Sequence, residues 1–432
     1  MTWLQRYRLR HFLRFSFWLV PLAWMLVAGI ALPIVRWLDL ETSWRLFNYS
    51  EDGARQILSS LSSSMLTFMV FAVSALLLAL QLASSALSPR IIAAFFATRT
   101  PQISIGVFVF SYVFALGAGA RVENGHVPQL MVLVAIMSNL IAIVVFFWFV
   151  YRVGTGLRPV AILLALSKAG RRVINEVYPS AWSGTPRGRS PQAREALAGP
   201  SRVIEYAGVS GTFLAFGAAE LVEAARRADC VIELIPQVGD FVPTSDPLFR
   251  VYPADADIDP AALSQMVAFG AERTMEQDPA FAFRIMVDIA SRALSPAIND
   301  PTTAVLALDQ LHRDLLYLGR RQLASGSAAD GTGRARLFYP TPAWEDFVAL
   351  AVNEIRLFGA NSIQVARRLR AMLEHLAGAL PEPRVPPLHE ELAMLQHAVE
   401  RAFPEDADRR RAQTGDLQGI GRSSPEGSRP KG

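Results

Sequence analysis

The sequence predicts a mainly α-helical membrane protein. Its plan is a polytopic region of four transmembrane helices, then a small α/β domain, then a helical cytoplasmic domain. Three observations carry that reading. Four long runs free of Lys, Arg, Asp and Glu fall in the first third of the 432 residues. Arginine is spread unevenly about those runs. Past residue 155 the chain changes character, first to strand-length apolar segments and then to helices opened by Asp-Pro pairs.

The runs lie between Arg14 and Arg36, Arg55 and Arg90, Arg99 and Arg121, and Glu123 and Arg152. About 20 apolar residues cross a hydrocarbon core about 30 Å thick, and backbone groups there must pair internally, so each run is expected to be helical. We place the spans at 15–35, 58–86, 102–120 and 128–151, within a membrane region 1–155. Trp18, Trp37 and Trp44, and later Phe146 to Phe149 with Tyr151, suit the interfacial belts. Arg6, Arg8, Arg10 and Arg14 precede the first span, Arg90 and Arg99 separate the second and third, and Arg152, Arg158, Lys168, Arg171 and Arg172 follow the fourth. The opposite loops mix signs. The positive-inside rule therefore puts both termini in the cytoplasm. A signal peptide at the first run is the rival reading. The large domain stays cytoplasmic even then, because three spans would remain.

The second run carries a polar stripe. Ser60, Ser64, Thr67, Ser74, Gln81 and Ser85 recur at steps of three, four or seven, with Phe71 and Leu78 on the same seam. Gln81 facing lipid would leave its amide unpaired, so the stripe is expected to face protein or water. It reads either as a helix-packing seam, the plainer choice, or as the lining of a polar pore. Ser138 and Asn139 in the fourth span are the expected partners for a seam. Gly117 and Gly119 in the third allow close approach or a bend.

Residues 156–200 read as a juxtamembrane amphipathic helix, with Leu157, Val160, Leu163, Leu164 and Ser167 on one side, followed by a Pro-, Gly- and Ser-rich linker from 179. Residues 201–253 form the small mixed domain. Its strands are expected at Arg202–Tyr206, Thr212–Phe216 and Cys230–Ile235 and through Tyr252, with a helix at Glu220–Arg227 and a turn at Gly239-Asp240-Phe241-Val242. Residues 254–403 form the helical domain. Asp259-Pro260, Asp278-Pro279 and Asp300-Pro301 each open a helix, because Asp accepts the first orphan amides and Pro suits the first helical position. Thr341-Pro342 repeats the device. We expect helices near 260–271, 279–294, 301–319, 342–357, 359–377 and 388–402, a flexible loop at Ala324–Gly333 and a disordered basic tail at 404–432.

Several motifs together resemble one family. These are Leu87-Ser88-Pro89-Arg90, Gly239-Asp240-Phe241-Val242, Arg273-Thr274, Gln277-Asp278, Val287-Asp288-Ile289-Ala290, and Ala293-Leu294-Ser295-Pro296-Ala297-Ile298-Asn299-Asp300-Pro301. They are similar to those of an uncharacterised bacterial family of predicted membrane proteins, domain of unknown function 2254, over the chain up to about residue 400. The resemblance supports topology, implies a bacterial protein of the inner membrane, and brings no reaction. The Gly-Asp-x-Val turn is also similar to hairpins of lipoyl-type barrels, in shape alone.

Chemistry is sparse. Cys230 is the single cysteine, which excludes an intramolecular disulfide and a cysteine-based zinc site. Lys168 and Lys431 are the only lysines, and neither sits in a phosphate loop or a carrier motif. His11, His126, His312, His375, His389 and His397 show no i, i+3 or i, i+4 pair. We name no catalytic residue, no metal ligand and no cofactor, and read no nucleic-acid signature in a net charge of +4. A candidate ligand or partner region remains: Arg273, Thr274, Gln277, Asp278, Asp288, Ser295, Asn299 and Asp300. The Ser295–Pro301 segment reads as a rigid interhelix turn with a helix cap, the plainer choice, or as a binding loop that brings Asn299 and Asp300 near Arg273 and Asp278. Arg284, Asp288 and Arg292 share a helix face that suits an ion-pair ladder.

The layout is similar in plan to small-conductance mechanosensitive channels. A homo-oligomeric channel or transport-related protein in the lipid bilayer is therefore the first functional expectation. A membrane-anchored sensor or scaffold, whose cytoplasmic domain binds a ligand or partner, is the second. A membrane-bound enzyme is the third.

Overall fold

The computed structural model describes residues 1–42, 49–86, 99–122, 127–184, 197 and 199–417, without the side chains of residues 14, 15, 82 and 84–86. Trp44, Leu87 to Arg90, Glu123, His126 and the side chain of Ser85 therefore lie outside the described residues. The chain is 65% helical and mainly α, with two compact units: Leu9–Ala161, and Met1–Arg8 together with Ile162–Gly432.

The first unit holds α2 (Leu19–Thr42), α3 (Glu51–Ala86), α4 (Arg99–Gly119) and α5 (Gln129–Gly156), each long and apolar enough to cross a membrane. The second begins seven residues before the expected 58, opened by Glu51 and Asp52, acids that suit the positive end of the helix dipole. The third is the hub. It packs on all three others, and half of it is buried against 17–33% of its neighbours. Small residues permit this. A Cβ on Gly106 would lie 2.2 Å from the Trp24 ring, and one on Gly117 2.4 Å from Leu32. Gly117 thus serves the close approach expected of it, and α4 runs unbroken through both glycines. Asp39, buried at the end of α2, accepts the Leu130 amide at the start of α5 at 2.6 Å.

The second unit takes in the first residues, up to Arg8, of a helix that the sequence reading missed, α1 (Trp3–Phe15). Trp3, Leu4 and Tyr7 follow helical spacing and pack on Leu214, Ala215 and Ala268. Next comes α6 (Pro159–Val177). Its buried face is Ile162, Leu163, Leu166, Ser167, Gly170, Val173 and Ile174, rotated from the expected one, since Val160 is exposed. That face meets protein: Ser167 Oγ and Arg171 Nε each donate to Asp314 at 2.8 Å, and a Cβ on Gly170 would strike Ala282. The start of the expected linker is fixed as well. Ala181 bridges Arg321, and Arg384 lies over the Trp182 ring at 4.7 Å.

Two sheets follow. Strands β1 (Arg202–Glu205), β3 (Val231–Leu234), β5 (Pro247–Tyr252), β7 (Ser327–Ala329) and β8 (Ala335–Phe338) form one, in the order β1-β5-β3-β8-β7. All its pairs are antiparallel except β3 with β8, where Ile232 faces Leu337. Strands β2 (Gly211–Phe216), β4 (Phe241–Val242) and β6 (Val267–Gly270) form the other, in the order β4-β2-β6. Helix α7 (Ala218–Arg227) joins them, and Phe213, Leu221, Ile232, Phe249, Val251 and Leu337 share the core.

The sheets correct three expectations. The helix expected at 260–271 is one turn, α8 (Pro260–Ser264), followed by β6; Val267-Ala268-Phe269 suits the edge of β2 better than a helix ended by Gly270. The loop at Ala324–Gly333 contains β7. Because β6, β7 and β8 come from beyond 253, the mixed domain does not end there. Helices α9 (Pro279–Ala293), α10 (Pro301–Gly319), α11 (Trp344–Gly359), α12 (Ile363–Ala379) and α13 (Pro386–Ala402) pack together. Asp259, Asp278 and Asp300 all cap as expected, whereas Thr341-Pro342 falls before its helix, and Asp346 accepts the Ala343 amide instead at 2.7 Å. Part of the expected disordered tail is ordered. Helix α14 (Asp406–Ala412) leads to Asp416, whose amide donates to the Arg367 carbonyl at 3.3 Å.

Candidate functional site

The polar stripe is placed by the geometry of α3. At about 100° per residue, Ala54, Leu58, Met65, Ala72, Leu76 and Leu80 make one face, and all are buried. The stripe lies about 180° away by the same rotation. Ser60, Thr67, Ser74 and Gln81 are exposed, as are Phe71 and Leu78, and Ser64 is half-buried. Leu66, Thr67, Val70, Phe71 and Ser74 line a shallow groove along it. Among the described residues, Ser60, Thr67, Ser74 and Gln81 therefore do not pack against another span, and the expected seam with the fourth span is corrected. Ser138 and Asn139 are used elsewhere: the Ser138 carbonyl accepts Ser111 Oγ at 3.0 Å, and Asn139 Nδ2 donates to the Leu61 carbonyl at 3.4 Å.

The stripe's hydroxyls divide. Ser64 Oγ donates to the Leu61 carbonyl at 2.9 Å, and Thr67 Oγ1 to Ser63 at 3.1 Å, so α3 satisfies them itself. Ser74 and Gln81 have no hydrogen-bond partner among the described residues. In hydrocarbon an unpaired amide costs about 2–7 kcal/mol.

The candidate ligand region is split by α9. Arg273 to Asp278 precede this 15-residue helix and Ser295 to Asp300 follow it, so the groups are about 22 Å apart at about 1.5 Å per residue. Asn299 and Asp300 therefore do not lie near Arg273 and Asp278, and the binding-loop reading of the two groups together is set aside. Each group instead builds a joint. At the first, Arg273 pairs with the buried Asp278, and its guanidinium lies 5.4 Å from the centre of the Phe281 ring. Asp278 also accepts the Phe281 amide at 3.1 Å. Burial pushes its carboxyl above the ordinary value, with Arg273 and the cap amides pulling the other way. Gln277 clamps the end of β2, accepting the Phe216 amide at 3.0 Å and donating to its carbonyl at 3.1 Å. Two of the family-like segments meet here. Gly239 has φ +101°, and a Cβ there would stand 2.6 Å from the Arg273 guanidinium carbon. Thr274 and Glu276 lie against the Tyr7 hydroxyl, whose pKa is raised by burial first and by Glu276 second.

At the second joint, Ser295 Oγ donates to the Arg292 carbonyl at 2.7 Å, Asn299 takes φ +48°, and Asp300 accepts the Thr303 amide at 3.0 Å. This is the rigid interhelix turn. Of the expected ladder, Arg284 pairs with Asp288 at 2.9 Å and also reaches Glu354 on α11, while Arg292 Nε has no hydrogen-bond partner among the described residues.

One cluster was invisible in sequence. His312 Nε2 and His375 Nδ1 are 2.8 Å apart, brought together from α10 and α12 across 63 residues. Arg368 can only donate, so its contact to His312 Nδ1 at 3.0 Å leaves the His312 hydrogen on Nε2, directed at His375. Burial first, then Arg368 and His375, hold the His312 pKa down at about 4. Among the described residues, no three of His, Cys, Asp and Glu gather into a metal-holding group.

The chain is similar to known proteins over most of its length. It is 26% identical to an uncharacterized protein of Mycobacterium bovis and to one of Mycobacterium tuberculosis, each over 376 residues, which is 84% of this chain and 71% of the relative. No solved structure matches it. The model of the family described as "Predicted membrane protein (DUF2254)" matches residues 14–375, and the chain belongs to that uncharacterised bacterial family.

Proposed function

We propose that the chain is a homo-oligomeric channel or transport-related protein of the bacterial inner membrane, with both termini in the cytoplasm. In this reading the exposed face of α3 lies at the contact between copies and beside the permeation path. The observation that carries it is the stripe's position: Ser74 and Gln81 are exposed on the side of α3 opposite its buried face. A second copy or a column of water would pair the Gln81 amide that lipid cannot. The self-satisfied Ser64 and Thr67 soften that part of the wall, leaving Ser74 and Gln81 as the groups that would meet an ion or a neighbouring helix. Arginine flanking the spans supports the orientation.

The test is ion flux through liposomes carrying the purified protein, with and without osmotic stress, beside Gln81→Leu. Flux that needs the protein and changes with the variant is the expected result. Absence of flux under every condition favours the second reading, a membrane-anchored sensor or scaffold. The search for a partner would then move to the two joints at the ends of α9.

A further inference from the structure

We propose that α1 is an interfacial helix that binds the anionic surface of the bilayer, with Leu9, Phe12 and Leu13 in the acyl boundary and Arg8 and Arg10 on lipid phosphates. The proposal does not rest on the channel reading.

The helix has two apolar faces with different fates. One carries Trp3, Leu4 and Tyr7, and it is occupied. Leu4 is buried, its amide donates to the Gln265 carbonyl at 3.1 Å, and Arg6 pairs with Glu220 at 3.0 Å. The other carries Leu9, Phe12 and Leu13 at i, i+3 and i+4. They are 47%, 57% and 58% exposed and lie about 180° around from Tyr7, at about 100° per residue. Water is a poor neighbour for three large apolar side chains on one ridge.

Two facts choose the occupant. Three residues, 16–18, separate the end of α1 from a helix long and apolar enough to cross a membrane. They span about 11 Å at most, so the ridge is tethered at the headgroup level. Charge does the rest. Arg8 and Arg10 are exposed beside the ridge, Arg14 follows in sequence, and no acidic residue precedes Asp39. Apolar side chains flanked by arginine at this depth match phosphates above an acyl boundary. A soluble protein partner would not need the ridge held at that depth.

The test uses the full chain in lipid nanodiscs. Cys230 is buried, so a cysteine introduced as Leu13→Cys takes an environment-sensitive fluorophore selectively. Discs of phosphatidylcholine alone are compared with discs also containing phosphatidylglycerol, each with a shallow spin-labelled quencher lipid. The expected result is a blue-shifted emission, quenched by the spin label and strengthened by phosphatidylglycerol. Arg8→Gln with Arg10→Gln, both at exposed positions, should lower the ratio of inserted to free helix roughly 25-fold, about fivefold per arginine. Lack of quenching in either disc would overturn the proposal. Quenching equal in both discs and indifferent to the arginine variants would overturn its anionic lipid.

Discussion

Two sets of polar side chains stand out in this chain, and they differ in whether the fold uses them. Those around Arg273 and Asp300 are consumed: Asp278 and Asp300 cap helices, Gln277 clamps β2, and Arg273 is held by Asp278 and Phe281. Those at Ser74 and Gln81 on α3 are left over. A motif specific enough to suggest a family can thus be architecture, while a plain stripe of Ser, Thr and Gln is what the fold of one chain leaves unexplained. The proposed channel reading rests on that difference.

Substitutions can break or sharpen that contrast. The largest effect belongs to the first joint. Asp278→Ala removes a helix cap and strands Arg273, and should lower the stability of the solubilised protein by about 3 kcal/mol, read by thermal unfolding. Asp278→Asn keeps the cap and should cost clearly less. If the two cost the same, the cap contributes nothing and the loss of the ion pair carries the whole effect. The inner face of the membrane unit comes next. Gly106→Ala would drive a methyl into the Trp24 ring and should cost about 2 kcal/mol. At the second joint, Asn299→Ala keeps φ +48° without the side chain that tolerates it, a loss of about 1 kcal/mol, which Asn299→Gly should avoid.

The histidine cluster adds a pH test. The His312 pKa of about 4 lies below the ordinary 6.5, so between those values the unfolded chain binds more protons than the folded one. Its contribution to stability is complete above pH 6.5 and disappears as the pH falls toward 4. A melting temperature that declines over that window, and declines less in His312→Gln, is the expected outcome. The smallest effect belongs to the stripe: Ser74→Leu should leave thermal stability within about 0.5 kcal/mol, since Ser74 is exposed among the described residues.

The sequence and the structure agree where one local rule decides. Uncharged runs of 20 or more residues leave the backbone no choice but a helix, and Asp-Pro at 259, 278 and 300 fixes a helix start from two adjacent residues. The reading failed where a distant partner decides. Val267–Gly270 is a strand because β2 lies beside it, and Ser327–Ala329 because β8 does. His312 meets His375 through the packing of two helices, which no spacing encodes. The stripe itself was legible, because helical periodicity defines a face. What that face meets was not, because the answer depends on which sides of α3 the other spans cover.

The central claim, that the exposed polar face of α3 lies between copies, is tested most directly by disulfide cross-linking in native membranes. Cys230 is buried, so Ser74→Cys introduces the one accessible thiol among the described residues, and Val144→Cys on the exposed side of α5 serves as the comparison. The account predicts that mild oxidation yields a covalent dimer with Ser74→Cys and little with Val144→Cys. Efficient cross-linking at Val144 with none at Ser74 would contradict it.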